Sequence, residues 1–79
     1  MDDSDEKIIA ELESEFVELY KILKFEGLAE SGASAKHAIE EGQVRVNGEV
    51  ETRKRKKIRP GDQIDFIDHH IEVIGNSDS

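Results

Sequence analysis

The sequence has no cysteine and no tryptophan, a single proline, a single methionine and only 5% aromatic residues. Without cysteine there is no disulfide and no thiolate zinc site, which fits a reducing compartment. No run of apolar residues approaches the length of a membrane span. No basic, apolar, small-residue leader opens the sequence, so no secretory signal is expected. There is no glycine-rich phosphate loop, and no serine, histidine and acid fall into a recognisable catalytic pattern. At 79 residues there is room for one small domain with a modest core, and little for a deep pocket. These absences lead to the expectation of a soluble, cytoplasmic, non-enzymatic protein, taken as a monomer, with no cofactor and no membrane contact.

What is abundant is charge. The net charge is −8, with 38% charged residues, yet the two signs are segregated. Residues 1–30 carry ten acids and three bases, residues 31–60 four acids and eight bases, and residues 61–79 five acids and no base. Beyond about 10 Å salt screens distant charge, so a polyanion responds to the local surface and not to the total. The middle third can therefore meet phosphate while the ends keep the chain soluble.

Residues 1–15 read as an acidic extension, disordered or partly helical, residues 16–75 as the folded domain, and residues 76–79 as a disordered tail. Ile9, Leu12, Phe16, Leu19 and Leu23 fall at steps of three and four, one stripe of a helix. A competing pattern makes Phe16–Leu19 a short strand entering a helix at Tyr20. The helix is placed from Tyr20 to about Phe25, ended by Gly27. Ser31 can cap a second helix, with Ala35, Ala38 and Ile39 on its apolar face and Gly42 closing it. Val44, Val46 and Val50 then alternate with polar residues around Asn47-Gly48, a strong signal for a type I′ hairpin. Pro60-Gly61-Asp62 is a turn signature. Ile64 and Phe66 alternate again, Asp68-His69-His70 reads as another turn, and Ile71 and Val73 as the last strand. The expected fold class is α+β: two packed helices followed by a small, mostly antiparallel sheet of short strands.

The chemistry-bearing feature is the run Arg53, Lys54, Arg55, Lys56, Lys57 and Arg59, six cations in seven residues. In a straight strand successive side chains alternate between faces, so such a run cannot present every cation to one ligand unless it is twisted or looped. Arginine offers phosphate a planar fork of donors and lysine a flexible point charge. With Phe66 as the one aromatic nearby, backbone and shape recognition fit better than base stacking. An ordinary solvated loop is the competing explanation. Lys36 and His37 lie near the start of the second helix, where amide groups also favour anions, although His37 and Glu41 at i,i+4 can simply pair. Arg45 faces away from the core between two inward valines. Asn47 suits the turn itself. His69-His70 is a poor metal pair, because adjacent side chains diverge and no third ligand is close in sequence.

The stretch Gly27-Leu-Ala-Glu-Ser-Gly-Ala-Ser-Ala-Lys-His-Ala-Ile-Glu-Glu-Gly-Gln-Val-Arg-Val-Asn-Gly-Glu-Val-Glu51, followed by Ile58-Arg-Pro-Gly-Asp-Gln-Ile64, resembles the S4 RNA-binding domain. The resemblance runs from about Leu19 to Phe66. Its most specific parts are Glu41-Gly42, Val44-Arg45-Val46-Asn47-Gly48 and Pro60-Gly61-Asp62, in that order and spacing. It implies two helices packed on a small sheet, with RNA lying across the second helix and the adjoining hairpin. Lys36, His37 and Arg45 match positions that are often basic in the family, and Asn47-Gly48 match its turn. The family often has arginine at the positions of Gly32 and Gln43, and sometimes at Glu18, so those charges are missing here. The segment Arg53–Lys57 is more basic than the usual family loop, which shifts the expected footprint toward it.

The resemblance makes structured RNA of the ribosomal or transfer class the expected partner, with association to the ribosome among the consequences. The competing expectation is a protein-interaction adaptor whose basic loop docks an acidic partner. A ubiquitin-like sulfur carrier, which needs a terminal Gly-Gly, does not fit the ending Gly75-Asn-Ser-Asp-Ser79.

Overall fold

A computed structural model describes residues 6–76. Along the chain lie β1 (Glu6–Leu12), β2 (Val17–Glu18), α1 (Leu19–Phe25), α2 (Gly32–Glu40), β3 (Val44–Val46), β4 (Glu49–Val50), β5 (Lys57–Ile58), β6 (Gln63–Phe66) and β7 (His69–Gly75). One sheet has the order β1-β7-β6-β3-β4, and β2 and β5 form a separate antiparallel pair. In the large sheet β1 runs parallel to β7, and the other neighbours are antiparallel. The class is α+β with two packed helices, but the expected order is corrected: a strand, not a helix, opens the fold.

The reason lies in β1. Its apolar residues have helical spacing, but all seven residues pair with β7, from Glu6 opposite His69 to Leu12 opposite Gly75. The pleat turns Ala10 and Leu12 into the core, at 3% and 6% exposure, and leaves Ile9 half exposed. A helical stripe would have buried Ile9. Lys7, expected in an extension that is disordered or partly helical, lies on β1 and pairs with Glu72 at 2.8 Å. The partner strand lies at the far end of the chain, so nothing local announces β1. Residues 1–5 of the expected extension and 77–79 of the expected tail lie outside the described residues.

Downstream, Val17–Glu18 takes the strand form and leads into α1, as the competing pattern had it. Ser31 caps α2 by accepting a hydrogen bond from the Ser34 N–H at 3.1 Å, and Gly42 leaves the helix at φ 80°. Asn47 and Gly48 both have positive φ, 54° and 88°, as a type I′ hairpin requires. That turn has only two residues, so Val46 faces Glu49 and Arg45 faces Val50. Val50 therefore shares Arg45's outward face and is 51% exposed, a correction to its expected place beside Val44 and Val46. The next turn is also displaced: Ile67 and Asp68 make it, and His69 and His70 belong to β7. Ile67 adopts φ 57°, unusual for a β-branched residue.

One core holds these pieces together. Leu19, Ile22 and Leu23 of α1 and Ala35, Ala38 and Ile39 of α2 meet Val44, Val46, Ile58, Ile64, Phe66, Ile71 and Val73 from the strands. Both helices thus cover one face of the large sheet. The opposite face carries Arg45, Asp65, His70, Glu72 and Ile9, in or beside registered cross-strand pairs.

Candidate functional site

Between β4 and β5 the chain leaves the sheet edge and loops past the beginning of α1. The first backbone N–H groups of a helix have no partner within it. Here two are met from the basic segment: the Leu19 N–H donates to the Lys56 carbonyl at 2.9 Å and the Tyr20 N–H to the Lys54 carbonyl at 3.1 Å. Glu18, at the cap position, contributes no side-chain bond. The Lys56 N–H closes a turn on the Arg53 carbonyl at 3.2 Å. The segment is therefore looped and pinned, the shape that lets consecutive cations share a side. Arg53–Lys57 and Arg59, with Thr52 and Glu40, line an open cleft of about 630 Å³.

Two of the six cations are held by carboxylates. Arg53 grips Glu51 through Nε at 2.9 Å and a terminal nitrogen at 3.3 Å, and its N–H donates to the same carboxylate at 3.0 Å. The Arg53 side chain holds the Glu51 carboxyl below its usual range, against the burial that pushes it up. Lys54 reaches across to Glu40 of α2 at 2.8 Å. That bond lowers the Glu40 carboxyl, helped by the smaller fields of His37 and Lys36. Lys57 Nζ sits 4.9 Å from the centre of the Phe16 ring, and Lys36 Nζ 4.6 Å from that of Tyr20. Among the described residues Arg55, Lys56 and Arg59 make no ion pair.

The base of the loop is fixed as well. Asp62 accepts the Arg59 N–H at 2.8 Å on one oxygen and the Asn47 side-chain amide at 3.0 Å on the other. Asn47 in turn accepts the Gln63 N–H at 2.9 Å. One asparagine thus ties the β3–β4 turn to β6 and, through Asp62, to the end of the basic segment.

The expected site residues are divided by this geometry. The segment Arg53–Arg59 is gathered in one place, and Lys36 and His37 flank it, joined electrostatically through Glu40. His37 also faces Glu41 at 3.7 Å. Arg45 lies on the sheet face away from the helices, where its guanidinium reaches the Gly48 carbonyl at 3.5 Å. Asn47 has its amide engaged within the protein. Of the two adjacent histidines, His70 meets Asp65 at 2.6 Å. Sequence reasoning missed Glu40 and Glu51 as tethers. Glu51, two residues before Arg53, was visible; the pairing of Glu40 with Lys54, fourteen residues apart, left no local signal.

The chain is similar to known proteins. The family model described as S4 domain matches residues 10–74. "Putative RNA-binding protein YbcJ" of Escherichia coli (strain K12) is 57% identical over 58 residues, covering 73% of this chain and 83% of that protein. "Uncharacterized protein YbcJ" of Shigella flexneri matches to the same extent. A solution structure of YbcJ from E. coli, described as revealing an "ALFAL motif involved in RNA-binding", superposes with a TM-score of 0.67 at 47% identity, covering 94% of this chain and 91% of that one.

Proposed function

The chain belongs to the S4 domain family, and from that premise we propose that it binds structured RNA, of the ribosomal or transfer class, through the looped segment Arg53–Arg59 and the adjoining side of α2. The observation that carries this reading is the cleft itself. A pinned loop lines one hollow with six cations, and three of them, Arg55, Lys56 and Arg59, have no carboxylate partner among the described residues. The description of YbcJ as RNA-binding agrees with it.

The mode of recognition follows from what surrounds the cations. Tyr20 and Phe16 are the aromatic rings beside the cleft, and each has a lysine over its face. A base stacking there has to displace that lysine, so contacts to phosphate and to the shape of a folded backbone dominate. Arg53 and Lys54 can exchange their carboxylates for phosphates at small cost, because exposed ion pairs are worth only about 0–1 kcal/mol. Lys36 and His37 extend the surface along α2. Arg45 reaches only an RNA that wraps the sheet edge, and Asn47 serves by holding the loop's base.

Fluorescence anisotropy with a labelled RNA hairpin, repeated across salt concentrations, tests the reading. Each phosphate contact contributes about 0.7–0.9 to the slope of log K against log salt. Replacing Arg55, Lys56 and Arg59 together by alanine should weaken binding and flatten that slope by roughly 2–3. If the triple variant matches the parent at every salt concentration, the RNA is bound elsewhere or not at all.

A further inference from the structure

Alongside α1 the surface changes in character. Two adjoining hollows, of about 290 and 310 Å³, lie between α1 and the segment that joins β1 to β2. They share Ser14, Val17 and Phe25. The floor of the first is apolar: Ala10, Leu12 and Ile22 are each at most 6% exposed. Phe25 stands between the two with 67% of its surface exposed, although it is a large apolar side chain on a small domain. The second hollow is walled by Phe16, itself 36% exposed.

The rim of the first hollow is acidic. Glu11, Glu13 and Glu26 border the first hollow. Glu18 borders the second with Lys21, the single base among the lining residues, and these two face each other at 3.9 Å. Three carboxylates therefore border the first hollow, whose lining includes no base, while Lys24 stands 5.4 Å from the Phe25 ring and Lys57 4.9 Å from the Phe16 ring. Such a rim repels phosphate, so this face does not extend the RNA surface. Each hollow is at the low end of the size of small-molecule sites, and neither presents convergent polar groups on its floor. An apolar side chain or two, carried on a longer segment, fits that shape better than a free metabolite.

We propose that this trough docks a lysine- or arginine-rich peptide segment carrying one or two bulky apolar residues, which insert on either side of Phe25 while the flanking cations meet Glu11, Glu13, Glu18 and Glu26. Charge complementarity selects the class of partner: the cations draw the segment in and the buried apolar anchor supplies most of the affinity. This assignment does not depend on the RNA reading, because none of the residues lining the two hollows lines the basic cleft, which approaches them only where Lys57 lies over Phe16.

The test uses the full chain, labelled with nitrogen-15, and a short peptide with a Leu-Phe centre between pairs of lysine and arginine. Addition of the peptide should shift amide resonances of Ser14, Val17, Phe25 and Glu26 and leave those of Arg55 and Arg59 in place. Phe25→Ala should weaken the peptide about tenfold. The side chain is exposed, so the variant should keep the parent's melting temperature and its RNA affinity. Glu13→Gln with Glu26→Gln should weaken the peptide severalfold and make binding less sensitive to salt. A peptide with glutamates in place of the cations, and one with Gly-Ser in place of Leu-Phe, should not bind. The assignment is overturned if the basic peptide fails to bind, if it shifts resonances on another face, or if Phe25→Ala binds it as tightly as the parent.

Discussion

Two charge-dense regions lie against α1, and they are built on different foundations. The basic segment rests on hydrogen bonds: its carbonyls meet the helix's first N–H groups, and its lower end is tied through Asp62 to the hairpin. No apolar floor is needed, and its ligand is an extended anion met by side-chain tips. The acidic trough rests on apolar surface, with Ala10, Leu12 and Ile22 beneath it and Phe25 projecting from it. Charge of either sign is cheap on a small domain. What lies under the charge decides whether a phosphate backbone or a side chain is the better guest.

The sharpest way to break the comparison is to remove the support both regions share. Leu23 of α1 is fully buried, and Leu23→Ala leaves a cavity in the core beneath the helix that both regions border. The expected cost is about 2–5 kcal/mol, a large share of what so small a domain can have. Urea unfolding followed by circular dichroism measures it. RNA and peptide binding should be lost over the same range of urea. Loss of one while the other persists means that the two regions are separately stable, and the shared helix is not their common support.

Asn47→Ala is the next largest, and it separates frame from ligand on the basic side. The substitution removes the bonds to Asp62 and from the Gln63 N–H and puts alanine at φ 54°. A loss of about 1–3 kcal/mol is expected, read as a lower melting temperature. Well below that temperature the variant should bind RNA within about twofold of the parent, since exposed surface groups away from the contact contribute little. A tenfold loss in fully folded protein would make Asn47 a contact residue after all.

How much of this was legible depends on how local each determinant is. The Asn47-Gly48 turn was readable because two adjacent residues tolerate positive φ. The α2 boundaries were readable from Ser31 and Gly42. β1 was not, because Ile9 and Leu12 obey a helical spacing while the strand's partner sits at the other end of the chain. Val50 was misplaced because its neighbourhood was read as one continuous alternation, and a two-residue turn inverts the faces beyond it. Ile67 carries no turn signal at all, since its backbone conformation is imposed by the pairing of β6 with β7. In the site, the cations themselves were plain from the sequence. Their gathering along one cleft was not: it depends on carbonyls that happen to meet α1 and on Glu40 reaching Lys54 from another element.

The smallest effect tests how charge is rationed within the basic region. Glu51 is mostly covered, with its side chain 13% exposed, and it occupies the Arg53 fork. Glu51→Gln should release that fork, steepen the salt slope by up to roughly 0.7–0.9 and tighten RNA by no more than about fivefold, the worth of a surface ion pair. Acid should imitate the substitution. Arg53 holds the Glu51 carboxyl below its ordinary value of 4.5, and Lys54 does the same for Glu40. Each pair's contribution to stability is present above that ordinary value and is lost as pH falls through the lowered one. In that acidic window Arg53 and Lys54 lose their carboxylate partners, so RNA affinity in the parent should rise on acidification while the Glu51→Gln variant responds less. Anisotropy titrations at stepped pH, with circular dichroism confirming that the protein is folded, measure both. The mirror experiment lies in the trough, where removing carboxylates should weaken the peptide. An increase on one side of α1 and a decrease on the other, from the same kind of substitution, would establish that the two regions select opposite ligands. Equal responses would mean that both bind through unselective charge.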